Sequence, residues 1–361
     1  MITYYITTLL VLFFTYLAQK NIIIINDIES KKTIIKKPSI TKFFYFMTAI
    51  TLIFFAGFRY RVGTDYAMYE YTFQNRVTDF VENSFFQNEP GYSFLCWITS
   101  LFGGNFATVV FLTSVITILL FVITIYKNTD MLLSTSLLYV FLGCWHGAFN
   151  GIRQYLAAAI VFAGLRFIKE RKFWKYAVVV FIAFLFHSSA IMMIFVYFIA
   201  YNKISFQNIL FLISISLIVL FSFTEVLEFT GFLLNENLSD EGAYLTRSVN
   251  MFRILVAIAP AVFFLLLYQN KPINQEQRFW FNTLIINGVM MFATSNSAYL
   301  ARIGIYTAPF SAIGISELIK GVNPKEKKLI TTIILIAFAA FWLYEISNSS
   351  SLNHFTFIWQ K

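Results

Sequence analysis

The sequence predicts an all-α polytopic membrane protein with about 12 transmembrane helices and an external or re-entrant segment after the second span. Three observations carry that expectation. Of 361 residues, 58% are hydrophobic and 12% charged, with a mean hydropathy of +0.70, against roughly 45–50% apolar and about 25% charged in soluble domains. The apolar residues arrive in repeated blocks of about 14 to 22, nearly free of charge, close to the length that crosses a roughly 30 Å hydrocarbon core as helix. Runs such as 208–221 and 332–340 show none of the in/out alternation of a barrel strand. A water-soluble enzyme is excluded.

In chain order, spans are expected at 2–19, 43–58, 105–126, 131–147, 151–168, 173–187, 188–201, 207–223, 251–268, 279–295, 303–319 and 329–346. The first block has neither a basic n-region nor a small-residue cleavage site, so it reads as a retained span and not a signal peptide. One long helix over 173–201, or a further span at 90–103, are the alternatives. The positive-inside bias decides against both, because either one would export the basic cluster at 320–328. Both termini then lie outside, and the chain forms one integral membrane domain, 1–361, with external loops at 59–104 and 224–250. The net charge of +9 is a topology signal and implies no nucleic acid partner. Cys96 and Cys144 are too few for a disulfide framework and lack metal-ligand spacing.

The basic residues divide by type. Inside segments hold 16 Lys and 3 Arg, whereas outside segments hold 7 Arg and the single Lys361. Topology alone does not favour Arg over Lys. A planar guanidinium suits bidentate binding of phosphate or carboxylate and keeps its charge when partly buried. An outward-facing anion site is therefore expected.

Four groups of residues could build it. Phe58-Arg59-Tyr60-Arg61-Val62-Gly63-Thr64-Asp65, with Tyr66, Tyr69 and Tyr71 following, leaves the second span through a turn that Gly63 permits. Gly151-Ile152-Arg153-Gln154-Tyr155 opens the fifth span, where the small residues 157–159 allow close packing and aim Arg153 at a cavity. Phe186-His187-Ser188-Ser189-Ala190 joins two short spans, and a neutral histidine there can serve as base or donor. Arg302 precedes the eleventh span with Tyr306 one turn on. The competing account in each case is interfacial anchoring or a satisfied core histidine; His146, Arg247 and Arg253 are read that way. No Walker loop, dinucleotide fingerprint, Ser/His/Asp order or His-x-x-x-His pair is present, no cofactor is expected, and three histidines without an intramembrane acidic pair suggest no metal cage.

At these residues, together with Glu89-Pro90-Gly91-Tyr92, the chain resembles the EpsG family of bacterial exopolysaccharide proteins, within the wider group of Wzy-type polysaccharide polymerases; the matching features run from 58 to 306. The resemblance implies a GT-C-like integral membrane glycosyltransferase of exopolysaccharide, capsule or O-antigen biosynthesis, sited in the bacterial inner membrane with its active site facing outward. It would be metal-independent and use undecaprenyl-diphosphate-linked oligosaccharide. Arg59, Arg61, Arg153 and Arg302 would neutralise the diphosphate, His187 or Asp65 would take the acceptor proton, and Tyr69, Glu89, Gln154 and Tyr306 would contact substrate. Besides the lipid bilayer, a chain-length regulator and a flippase are candidate partners. An O-antigen-ligase-type transferase shares the donor and stays open, as does a transporter or flippase of lipid-linked sugars, although no internal repeat is visible. An O-acyltransferase would place its functional residues on the cytoplasmic side, where no histidine is expected.

The topology has a direct check. A Lys325→Cys chain should stay unlabelled by an impermeant maleimide in intact cells and react once they are permeabilised; labelling from outside would reverse the orientation.

Overall fold

In the computed structural model, described for residues 1–27, 32–82, 89–200, 214, 248–269 and 271–360, the chain is an all-α membrane protein apart from one small hairpin. It divides into two units, Met1–Ile194 with Val322–Lys361, and Phe195–Gly321.

In the first unit, α1 (Ile2–Lys20) and α2 (Ser39–Gly57) pack side by side, linked by β1 (Ile23–Asp27) and β2 (Lys32–Lys36). This hairpin was not expected. The β-branched Ile22–Ile25 and Thr33–Ile35 favour strand once the chain is free of the apolar helices, and they pair in register from Ile23 with Lys36 to Asp27 with Lys32. Next come α3 (Tyr66–Glu82) and α4 (Pro90–Leu101), inside the segment expected to be external or re-entrant. Their chemistry suits a lateral helical hairpin. α3 buries only Tyr66, Tyr69 and Phe73, one stripe at i, i+3 and i+7. That stripe joins Tyr92, Cys96, Phe106, Val109, Val110 and Ile152 in one cluster beneath the site.

α5 (Phe106–Asn128) starts at a capping box between Asn105 and Thr108 and packs on α2 and on α7 (Ile152–Ala163). Between them, α6 (Leu132–Phe141) stops ten residues after it starts, at a turn where Gly143 has φ +80°, so the expected span 131–147 is a short helix followed by a 3₁₀ turn, His146–Phe149. α7 buries Ala157, Ala158 and Ala159 completely, and this lets its backbone approach its neighbours. After the short α8 (Leu165–Lys169), α9 (Phe173–Phe184) ends before His187, which is extended, and a 3₁₀ turn, Ser188–Met193, leads into α10 (Ile194–Ile199). Residues 173–201 are therefore not one helix, and the Tyr176 hydroxyl holds the returning chain by donating to the Met193 carbonyl at 3.0 Å.

The second unit contains α11 (Met251–Tyr268), α12 (Gln275–Ala293) and α13 (Gly304–Lys320). Two of its buried polar side chains are matched within it: Asn282 donates to the carbonyls of Ile199 and Ala200 at 3.1 and 3.0 Å, and Thr307 to Asn287 at 2.6 Å. α14 (Pro324–Asn348) returns to the first unit and packs on α6. The chain that follows it lies along the loop after α2. Tyr60 N–H donates to Thr356 O at 2.8 Å, Ile358 N–H to Phe58 O at 3.0 Å and Gly63 N–H to Ser351 O at 3.2 Å.

Among the described residues five helices, α1, α2, α5, α11 and α14, are long and apolar enough to cross a membrane. They carry exposed apolar faces, with Leu9 63%, Leu266 61% and Ile336 64% accessible, which only lipid would solvate well. The expected twelve spans are not reached among the described residues. α6, α7 and α9 are 10 to 12 residues long, about 15–18 Å at 1.5 Å per residue, and α12 is diluted by Asn282, Asn287 and its charged first turn. The expected span 207–223, except Ser214, and the expected loop 224–250, up to 247, lie outside the described residues.

One contact sets how the α3–α4 hairpin meets α9. Gly91 N–H donates to Leu185 O at 2.8 Å, and a Cβ on Gly91 would stand 3.0 Å from that oxygen and 3.1 Å from the Phe186 ring. Gly91→Ala should therefore cost about 1–3 kcal/mol through overpacking and lower the unfolding temperature. Gly151→Ala, whose nearest neighbour would lie at 3.6 Å, should be tolerated.

Candidate active site

The helix junctions just described bring five sequence-distant side chains together. Tyr69 comes from α3, Glu89 from the residue that precedes α4, Arg153 and Gln154 from the first turn of α7, and His187 from the link after α9. Glu89 sits at their centre. One carboxylate oxygen meets Arg153 Nη1 and the other meets His187 Nδ1, each in a short contact. Arg153 Nε donates to Tyr69 Oη at 3.4 Å, and the guanidinium lies 5.2 Å from the Tyr69 ring centre and 5.8 Å from that of Tyr92. Gln154 Nε2 donates to Ser189 Oγ at 3.4 Å, next to the histidine.

The Glu89 backbone is itself unusual, at φ +59° and ψ +69°. A non-glycine residue in the left-handed region carries a conformational cost of order 1 kcal/mol, which the two ionic contacts and the docking of Gly91 hold in place. Electrostatics explains why the carboxylate tolerates its burial. Burial raises the Glu89 carboxyl, but the His187 hydrogen bond and then the Arg153 charge outweigh it and hold the group below the usual carboxylate range. An ionised carboxylate only accepts, so His187 Nδ1 carries the proton and donates. Nε2 has no hydrogen-bond partner among the described residues.

The other expected residues fall elsewhere. Arg59 and Arg61 do not act as a pair. Arg59 is 2% exposed, donates to Ala56 O and to Ser114 Oγ at 3.2 Å, and stacks 4.6 Å from the Phe149 ring centre. Arg61, at φ +52°, points to solvent and reaches Glu70 at 3.4 Å. An unbroken extended run would put both on one side, but the run that bridges Arg59 to Phe357 ends at Arg61, whose backbone is left-handed, and Gly63 at φ +109° then turns the chain into α3. Asp65 precedes α3, accepts from Thr64 Oγ1 at 2.9 Å and suits the positive end of that helix. Arg302 lies half-buried in a 3₁₀ turn of the second unit, and Tyr306 is fully buried in α13. Among the described residues no group of three His, Cys, Asp or Glu could hold a metal ion.

The geometry rests on residues inside 42–359, and the family model of the EpsG family matches that whole stretch. The chain belongs to the EpsG family. No curated protein and no solved structure matches it. Membership in the EpsG family carries a polysaccharide-polymerase type of function, with the glycosyltransferase-like chemistry associated with it, and agrees with the membrane-spanning helices.

For this EpsG-family chain, sequence reasoning listed Glu89 as a substrate contact and did not pair it with His187 and Arg153. Tyr92, which backs the guanidinium, was left out of the site altogether. The available signal was Glu-Pro-Gly, a carboxylate held directly before a helix start. Glu70 and Ser114, the partners of Arg61 and Arg59, had no signal at all.

The ionic contacts give a pH prediction. With its folded value depressed, the contribution of Glu89 to stability is complete above the ordinary carboxylate range and is lost as pH falls through the folded value. Glu89→Gln should lower the unfolding temperature at neutral pH, through loss of about 1–3 kcal/mol as Arg153 loses its counter-charge. The gap to wild type should close on acidification below that range; a gap equally wide at the lowest pH would contradict the assignment.

Proposed function

We propose that the chain polymerises undecaprenyl-diphosphate-linked oligosaccharide repeat units at the outer face of a bacterial inner membrane. The observation that carries this reading is the Glu89 carboxylate between His187 Nδ1 and Arg153. It supplies an oriented base and a cation side by side, the two groups a glycosyl transfer from a diphosphate needs.

The acceptor hydroxyl gives its proton to His187 Nε2 as its oxygen bonds to the anomeric carbon of the donor sugar. The bond from that carbon to the diphosphate oxygen breaks, and the electron pair leaves with undecaprenyl diphosphate. Glu89 keeps the histidine in its Nδ1–H tautomer and stabilises the imidazolium that forms, as an orienting carboxylate does in other base dyads. Arg153 uses Nε and part of Nη1 on Tyr69 and Glu89, which leaves donors on Nη1 and Nη2 for a phosphate oxygen. Arg61 is the exposed cation on the approach, held only by the weak surface pair with Glu70. The buried rings of Tyr69 and Tyr92 back the guanidinium, and Tyr69 would meet substrate through its hydroxyl. Asp65 is the alternative base.

Purified protein incubated with an undecaprenyl-diphosphate repeat unit should give a ladder of lipid-linked products that persists with chelator present. His187→Ala and Arg153→Lys should each cut the rate at least about 100-fold, the first by loss of the base and the second because an ammonium lacks the fork. Lys36→Ala should leave the ladder unchanged. A wild-type ladder from His187→Ala would remove the histidine from the chemistry, and a product seen only with a second type of acceptor would favour the ligase reading.

A further inference from the structure

Arg59 differs from the other two arginines of the first unit's outer loops and junctions. Arg153 is neutralised by Glu89 and Arg61 by Glu70. Arg59 has no carboxylate partner among the described residues, yet it is 2% exposed. Its two hydrogen bonds leave from Nη1, to Ala56 O and Ser114 Oγ. Among the described residues Nε is buried without a partner and Nη2 makes no hydrogen bond, so neither group on the Nε/Nη2 edge is engaged there. Burial lowers the guanidinium to about 10, which still leaves it charged at neutral pH. Stacking on Phe149 at 4.6 Å offsets only part of the cost of an unpaired buried charge.

A cavity beside Arg59 is lined also by Thr113, Ser114, Thr117 and Phe149 among others, with room for about one water-sized species. The hydroxyls of Thr113 and Ser114 are engaged, each donating to a carbonyl of α5 at 2.7 Å. Thr117 Oγ1 makes no hydrogen bond and is free to donate inward. Nearby, Tyr4 Oη is also buried and unpartnered, its ring 6.4 Å from that of Phe149. Around the cavity, then, are donors and a positive charge, with no acidic side chain in the lining. Water would satisfy the donors and leave the charge. A phosphate or carboxylate would supply charge but needs room for several heavy atoms.

We propose that Arg59 and Thr117 form a binding site for a single monatomic anion of the halide class, chloride being the physiological one, that serves as the counter-ion of the buried guanidinium. The site is separate from the Glu89 cluster and does not depend on the polymerase reading. Its ion neutralises the loop on which Arg61 and Asp65 are carried.

The test uses the full-length chain in detergent, moved from sodium gluconate into chloride or bromide at constant ionic strength. Halide should raise the unfolding midpoint saturably by about 2–4 °C, and the protein should retain radioactive chloride on a desalting column. Arg59→Gln should abolish both effects, whereas Arg61→Gln, two residues away, should keep them. Should Arg59→Gln not fold, Thr117→Val decides, since loss of one donor should weaken halide affinity several-fold without altering shape. Equal midpoints in gluconate and chloride with no retained ion would overturn the proposal and leave water in the cavity. A shift given by sulfate or inorganic diphosphate but not by halide would overturn it in favour of an oxyanion, as would a halide effect that survives in Arg59→Gln or is undiminished in Thr117→Val.

Discussion

The cost of placing charge in apolar surroundings governs this protein. A chain with only 12% charged residues can afford few buried ions, and each must meet an opposite charge or a set of donors. Glu89 shows how this organises the first unit. Its carboxylate is the shared anchor for a cation on α7 and an imidazole after α9, so the α3–α4 hairpin, α7 and the α9 junction are held to one another by the same group. The apolar cluster of Tyr66, Tyr69, Phe73 and Tyr92 lies directly beneath and supplies the low-dielectric floor on which these contacts act strongly.

The small residues serve the same end by geometric means. Gly91 allows a backbone amide to reach the Leu185 carbonyl, which brings Glu89 alongside His187. Gly63 turns the chain so that Arg59 is drawn inward among Ser114 and Phe149 while Arg61 is left in solvent. Three arginines with similar sequence signatures thus acquire different physical states, one in an enclosed ion pair, one in a surface pair and one buried against a hydroxyl-lined cavity.

Much of this was legible in the sequence and some was not, for physical reasons. Long uncharged blocks such as 106–128 announce a membrane helix through composition alone. Of the ten residues expected in the site, five, Tyr69, Glu89, Arg153, Gln154 and His187, meet in one cluster. The break at His187 falls where two short spans were expected to meet, whereas the early end of α6 at Gly143 was not legible, because hydropathy is blind to backbone turns. The β1–β2 hairpin was missed because a short Ile-rich run between basic residues reads as an interfacial loop. The Glu89 contacts depend on three segments separated by 64 and 98 positions, and no local pattern encodes such pairings. The divergence of Arg59 and Arg61 was hidden for a similar reason, since their backbone partner, Phe357, lies at the other end of the chain.

That late pairing has a consequence for biosynthesis. The first unit is discontinuous: residues 195–321 are inserted between its parts, and the loop bearing Arg59 is completed by main-chain bonds from 351–358. During synthesis the helices up to α9 emerge first, yet the segment 351–358 that closes over Phe58–Gly63 arrives only after residues 195–321 have been made. Until then the Phe58–Gly63 amides and carbonyls that this segment satisfies need other partners. The nascent chain therefore passes through a stage in which its helices are inserted but its outer surface is unfinished, and quality control acting on truncated products would meet that open loop.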